Sequence, residues 1–185
     1  MRQQQRGLTL IELIVAVTVL MMIAGIGWPA LQGAVNDVER RSSLNNVYHT
    51  LALGRTEAIK SGSIVTICPL NDSDICTGDW TRPVSIFRDP DNLRELTTKD
   101  DLIHTMQPPD AGTLRVRVGN RGYFQYAPSG RVRGTLGNIS YCPPDNQVTE
   151  AGQIIINMGG RPRRARDHDG DGIVEVSDGS ALSCP

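Results

Sequence analysis

Residues 8–31 are apolar almost without interruption, with Glu12 the only charge in 24 positions. A bilayer core needs about 20 helical residues, so the run is long enough to cross one. Arg2 and Arg6 precede it and place the N-terminus on the cytoplasmic side. Beyond the run, Leu31, Val35, Val38, Leu44, Val47, Tyr48, Leu51, Ala52, Ala58 and Ile59 recur every three to four residues, with Asn36, Asp37, Glu39, Arg40 and Arg41 largely between them. The spacing predicts one long helix whose second half packs a stripe against a sheet. Pro29 and the nearby Gly25, Gly27 and Gly33 are weak points in it, and Ser61-Gly62-Ser63 ends it. After residue 62 the period shortens. Residues 64–68, 84–88, 113–118, 122–126, 138–142 and 153–157 read as strands, and the Asp- and Pro-rich stretch 89–110 reads as a long loop. A helix followed by an antiparallel sheet is an α+β arrangement.

A secretory signal peptide would have a shorter apolar region closed by a small-residue cleavage site, and no Ala-x-Ala follows here. A plain membrane anchor leaves Glu12 unexplained, since a carboxylate in lipid costs roughly 2.5–3.5 kcal/mol. The segment Arg6-Gly7-Leu8-Thr9-Leu10-Ile11-Glu12-Leu13 resembles the class III signal of type IV pilins and type II secretion pseudopilins. That resemblance implies cleavage by prepilin peptidase between Gly7 and Leu8 and N-methylation of Leu8. The usual residue at this position is Phe, so Leu8 is a departure. It also implies that Glu12 pairs with the cationic N-terminus of a neighbouring pilin during assembly, which supplies the partner that burial in lipid demands.

Two further segments, Phe124-Gln125-Tyr126-Ala127-Pro128-Ser129-Gly130 and Ile154-Ile155-Ile156-Asn157 running into Gly160-Arg161, resemble FimT/FimU-type minor pilins and GspH-type pseudopilins. The implied fold is the type IV pilin fold. Its parts are a leader (1–7), a transmembrane and filament-core helix (8–31), the amphipathic half of that helix (32–62) and a β-rich globular domain (63–185). The implied partners are other major and minor pilins and prepilin peptidase. The implied location is the inner membrane, as a single-pass protein, and then the extracellular pilus, at its tip.

The 185 residues leave room for one modest core, which excludes a large multidomain enzyme. Cys68, Cys76, Cys142 and Cys184 all lie beyond the apolar run, in what topology makes an oxidising compartment. Three pairings are possible. The expected one is Cys68–Cys76, closing a small loop, with Cys142–Cys184 pinning the C-terminal tail to a strand. Zinc is the rival reading, but no pair has Cys-x-x-Cys spacing and no histidine is adjacent. His49, His104 and His168 stand near no nucleophile signature, so no catalytic residues are expected. Trp28 reads as an interfacial anchor and Trp80 as a loop or core residue.

A formal charge of −1 argues against a nucleic-acid partner until the charges are mapped. Between Thr113 and Arg166 nine arginines face only two acids, Asp145 and Glu150, a net of +7 that leaves −8 for the rest. Arginine outnumbers lysine 17 to 2, and its planar fork suits phosphate oxygens. The densest cluster, Gly160-Arg161-Pro162-Arg163-Arg164-Ala165-Arg166, resembles the Gly-Arg-x-Arg motif with which FimT-type minor pilins bind DNA in natural transformation. The resemblance implies that Arg161 and Arg163 contact phosphates of double-stranded DNA, with Arg164 and Arg166 as added charge. A second copy, Gly130-Arg131-Val132-Arg133, makes Arg131 and Arg133 an auxiliary patch. The plainer reading is a solvated loop, or arginines that pair with acids on neighbouring subunits.

Directly after the arginines, residues 167–178 place Asp167, Asp169 and Asp171 at positions one, three and five, Gly172 at six, the Ile173 carbonyl at seven and Asp178 at twelve. This is the spacing of an EF-hand-type calcium loop, with Asp in place of the usual terminal Glu. No cofactor is required, and calcium is the one ligand the spacing suggests. Bound calcium would neutralise acids that otherwise compete for the arginines. The alternative is an acidic surface turn. Three roles remain open at this level: a DNA-binding minor pilin, a tip subunit that primes assembly without a ligand, and a type II secretion pseudopilin.

Overall fold

In the computed structural model, residues 9–134 and 136–184 are described, except for the side chains of 26–30 and 32. Helix α1 spans Leu10–Ser61 and remains helical through Pro29. Its start carries a capping motif, in which the Glu12 backbone N–H donates to Thr9 Oγ1 at 3.3 Å. Gly62, at φ +65°, ends the helix with its N–H on the Ala58 carbonyl at 3.1 Å.

The chain divides into two compact units at Asp37. In the first, the apolar side chains from Leu10 to Ile23 are exposed, including Leu10 at 76% and Met22 at 69%. Among the described residues no helix is long and apolar enough to cross a membrane. The run 8–31 that meets the length requirement in the sequence includes positions whose side chains lie outside the described set.

The described residues of the second unit form eight strands in two antiparallel sheets. The first sheet has β1 (Val65–Pro69), β2 (Val84–Arg88), β3 (Leu102–Met106) and β5 (Phe124–Tyr126) in the order β3-β2-β1-β5. The second has β4 (Thr113–Arg117), β6 (Gly137–Cys142), β7 (Gly152–Ile156) and β8 (Pro162–Arg164) in the order β4-β6-β7-β8. Leu44, Val47, Leu51 and Ala58 of α1 share a core with Ile67, Ile86, Phe124, Ile139 and Ile154. Leu31, Val35 and Val38, expected on the packing stripe, are exposed, so the packed face begins near Ser43 and Leu44. Trp80 is a core residue, its Nε1–H donating to the Gly122 carbonyl at 3.0 Å.

The stretch 89–110 is not the structureless loop expected. It opens on buried Asp89, whose carboxylate accepts from Thr66 Oγ1 at 2.6 Å, Gln125 Nε2 at 3.3 Å and the Leu93 and Arg94 backbone N–H groups at 2.7 and 3.1 Å. It then supplies β3, paired antiparallel with β2 from Val84↔Met106 to Phe87↔Leu102, with a register shift between Ile86 and Phe87. Both disulfides join the expected pairs, Cys68 with Cys76 and Cys142 with Cys184.

One buried acid links α1 to β2. Glu57 Oε1 accepts from Arg88 Nη2 at 2.7 Å, and its other oxygen lies 3.6 Å from Lys60 Nζ. The Arg88 hydrogen bond holds the Glu57 carboxyl below the usual carboxylate range. The folded state therefore binds this proton less readily than the unfolded chain. The stabilisation is full above the unfolded value near 4.5 and is lost as pH falls through the lower folded value. Glu57→Gln is expected to lower the urea midpoint at pH 7, a loss of roughly 1 kcal/mol, and the deficit is expected to shrink as pH falls below 4.5. A deficit that persists unchanged at pH 3 would point to packing instead of charge.

Candidate functional site

The two glycine–arginine turns, 30 residues apart in sequence, fold against each other. Residues 127–130 form one turn, closed by the Gly130 N–H on the Ala127 carbonyl at 2.8 Å. Residues 157–160 form the other, closed by the Gly160 N–H on the Asn157 carbonyl at 2.9 Å. Both glycines have positive φ, +73° and +75°. A Cβ on Gly160 would stand 2.1 Å from the Gly130 carbonyl oxygen, so the two backbones touch where no side chain could fit. The Val132 N–H donates across to the Met158 carbonyl at 3.4 Å. Arg55 completes the junction from α1, its Nε–H donating to the Gly130 carbonyl at 3.0 Å. Nothing in the sequence marks Arg55 beyond its place near the packed face of the helix.

The arginines separate by backbone alternation. Arg161 lies on the turn, its N–H held by Asn157 Oδ1 at 3.2 Å, and leads into β8. In β8, Arg163 stands opposite Ile155 and Arg164 opposite Ile154. Neighbours along a strand face opposite ways. Arg164 turns toward α1, where its guanidinium donates to Asn45 Oδ1, and Arg163 therefore faces the other side of the sheet. Arg131, Arg133, Arg161, Arg163 and Arg166 are all exposed. Among the described residues none of these five forms an ion pair with an acid.

The acidic turn that follows is ordered by its own backbone. Asp167 accepts from the Gly170 and Gly172 N–H groups at 2.6 and 2.8 Å, and these bonds hold its carboxyl below the usual range. Asp169 and Asp171 accept from the N–H groups of Asp171 and Ile173. No aspartate of this turn forms an ion pair with an arginine among the described residues. The carboxylates of Asp167, Asp169 and Glu175 come within 4.8 Å of one another. Glu175 thus takes the place expected for Asp178, whose carboxylate is instead engaged by the N–H and Oγ of Ser180 at 2.9 and 2.6 Å. Glu175 Oε2 also meets His168 Nδ1 at 2.9 Å, a contact that lowers its pKa. The three convergent carboxylates are the groups here that could hold a hard cation. The cleavage-site residues Gly7 and Leu8 lie outside the described residues.

Two family models match the chain. The model described as type II transport protein GspH matches residues 43–160, and the prokaryotic N-terminal methylation motif matches residues 2–28. Among solved structures, the chain is similar to the type IV minor pilin FimU of Pseudomonas aeruginosa in two crystal forms. One match has 17% identity and a TM-score of 0.54, covering 80% of this chain and 96% of that one. The other has 15% identity and a TM-score of 0.52, covering 68% and 92%. The minor pseudopilin EpsH of Vibrio cholerae is also similar, at 21% identity and a TM-score of 0.47 over 68% of this chain and 95% of that one. No curated protein sequence matches.

Proposed function

This chain belongs to the GspH family of minor pilins and pseudopilins, and on that premise we propose that it is a type IV minor pilin that binds extracellular double-stranded DNA for uptake. The observation that carries the reading is the junction of the two glycine–arginine turns, which presents Arg131, Arg133, Arg161 and Arg163 to solvent without an acid partner among the described residues. Exposed guanidiniums on a backbone fixed by two tight turns suit phosphate oxygens. Contacts of this kind hold the nucleic-acid backbone and carry no sequence information. Affinity therefore falls steeply with salt.

The test is retention of duplex DNA by the purified full chain in detergent, between about 50 and 200 mM salt. Replacing Arg161 and Arg163 together with glutamine is expected to flatten the log–log salt slope by about two units, one per phosphate released. Retention unchanged by the double substitution removes the reading.

The methylation motif supports the rest of the life cycle. Prepilin peptidase cuts between Gly7 and Leu8, Leu8 is methylated, and the apolar helix holds the chain in the inner membrane until Glu12 recruits it beside other pilins at the tip. The exposed apolar side chains of residues 10–23 need lipid or neighbouring helices to cover them. A second role, as a type II secretion pseudopilin, is favoured by the description of the matching family model. Deletion separates the two: loss of DNA uptake with secretion intact belongs to the first, and the reverse belongs to the second.

Calcium is the ligand we assign to the turn at Asp167, on the convergence of Asp167, Asp169 and Glu175. Titration calorimetry with calcium is expected to give heat that Asp169→Asn and Glu175→Gln abolish. Absence of heat from the parent protein ends that assignment.

A further inference from the structure

Strand pairing carries the arginine row past the junction of the two turns. Residues 131–133 lie antiparallel beside β5, with a bridge between Tyr126 and Val132. The Ala127 N–H donates to the Arg131 carbonyl and the Arg133 N–H to the Gln125 carbonyl, both at 2.9 Å. Tyr126 and Val132 are buried in the core. Neighbours along a strand face opposite ways, so Arg131 and Arg133 stand on the outer face of the first sheet, beside Gln125. Both arginines are exposed.

The same face continues to an aromatic ring. Tyr123 leads into β5 next to Phe124, which is a core residue. Its partly buried ring carries two cations, with the Arg121 guanidinium 5.7 Å and the Arg94 guanidinium 5.9 Å from the centroid. Both lie within cation–π reach. A Cβ at Gly134 would collide with Arg121 Nη1, so that guanidinium lies against bare backbone directly after Arg133. Arg94 reaches the ring from a backbone conformation that L-residues avoid, at φ +61°, two residues after Asn92 at +57°. Its surroundings hold it there. The Arg94 N–H donates to buried Asp89 at 3.1 Å, its carbonyl accepts from the Cys76 N–H at 2.9 Å, and Gln125 Nε2 donates to Asn92 Oδ1 at 2.8 Å. Strain held in this way clusters at ligand sites. Asp91 and Glu95 stand close to Arg94 in sequence, yet among the described residues none of Arg94, Arg121, Arg131 and Arg133 forms an ion pair with an acid.

A row of exposed guanidiniums that ends on an aromatic ring joins two kinds of recognition. Guanidiniums hold phosphate oxygens, and a ring flanked by guanidiniums is a surface on which a nucleobase stacks. A base inside a duplex is already stacked on its neighbours, so only an unpaired base can use that surface. We infer that the outer face of the first sheet binds single-stranded DNA, with Arg131 and Arg133 on its phosphates and the group of Arg94, Tyr123 and Arg121 stacking an unpaired base. The inference rests on the DNA reading and extends it. Because the row starts at the Gly130–Gly160 junction, an unpaired end of a duplex held there would meet Tyr123.

The experiment measures binding of the purified full chain in detergent, at about 50 mM salt, to three fluorescent probes: a thymidine oligomer of about 12 nucleotides, an abasic oligomer of the same length, and a duplex. The abasic strand keeps every phosphate and loses every base. The thymidine oligomer is expected to bind at least about tenfold more tightly than the abasic one, the equivalent of one stacked base. Tyr123→Leu is expected to remove that difference while duplex retention holds, and Tyr123→Phe to preserve it. The comparison of the two oligomers on the parent protein needs no variant, so it decides even where Tyr123→Leu does not fold. Equal binding of the two oligomers, with the duplex retained, overturns this inference and leaves the DNA reading standing. An undiminished difference in a folded Tyr123→Leu does the same, as does a loss of duplex retention in that variant as large as its loss of thymidine binding. Absence of binding to all three probes overturns both.

Discussion

Gly160→Ala is expected to destabilise the second unit by roughly 3 kcal/mol or more, although it adds a single methyl group. Holding an L-residue in the left-handed region costs about 1–2 kcal/mol, and Gly160 sits at φ +75°. The larger part is steric. The new Cβ would lie 2.1 Å from the Gly130 carbonyl oxygen and 3.0 Å from Tyr126 Cε1, so backbone and a buried ring must both shift. Gly159→Ala is the control: its Cβ meets only Asn157 Oδ1, at 3.3 Å, the end of a side chain on the exposed turn. Urea unfolding of the two variants should separate them clearly. The same substitution is expected to weaken DNA retention, because it forces apart the turns that carry Arg131 and Arg161 while leaving every arginine in place. Equal stability of the two alanine variants would show that the turns are not braced on one another.

The coupling between these turns was only half legible in the sequence. Both Gly-Arg-x-Arg copies could be read, but their contact depends on the turns after β5 and β7, strands of different sheets, meeting at Gly130 and Gly160, which no local pattern encodes. Apolar alternation made six strands visible, because their inward side chains fill the core and leave a period of two. It hid β3 and β8 for a common reason. Both are edge strands, at the ends of the orders β3-β2-β1-β5 and β4-β6-β7-β8, and are held chiefly by backbone pairing. Only Met106 of β3 is buried, and Pro162-Arg163-Arg164 has no apolar pattern to read. An edge position also tolerates Pro162, since its missing N–H can face away from the sheet. The long loop was misread because its acids suggested solvent, whereas Asp89 is buried and meets four donors. At the acidic turn, the spacing nominates Asp167, Asp169, Asp171 and Asp178, whereas the carboxylates that converge in the structure are those of Asp167, Asp169 and Glu175. A loop template assumes a following helix that returns position twelve to the centre, and here the chain turns away at Val176 to Ser180. Half-burial of α1 was legible as a period but not in extent, because Leu31, Val35 and Val38 keep the period of a packed stripe while remaining uncovered in the single chain.

Replacing Cys142 and Cys184 together with serine is expected to cost about 4 kcal/mol, the chain entropy of closing a 42-residue separation. Single domains hold only about 5–15 kcal/mol in total, so this is a large share of the stability. The cost arises mainly in the unfolded chain, which gains freedom when the link is absent. In the folded chain, the C-terminal segment keeps Leu182, which is buried and whose N–H donates to the Val174 carbonyl at 2.9 Å. The serine variant should therefore still fold, with a lower urea midpoint and with amide exchange accelerated first between residues 174 and 184. Serine substitution of Cys68 and Cys76 frees a separation of only 8 residues and by the same relation costs about 2.5 kcal/mol. The ordering of the two losses is the discriminating result. If the shorter loop proves the more costly, its bond stabilises through packing at fully buried Cys68, and the chain-entropy account fails for this protein.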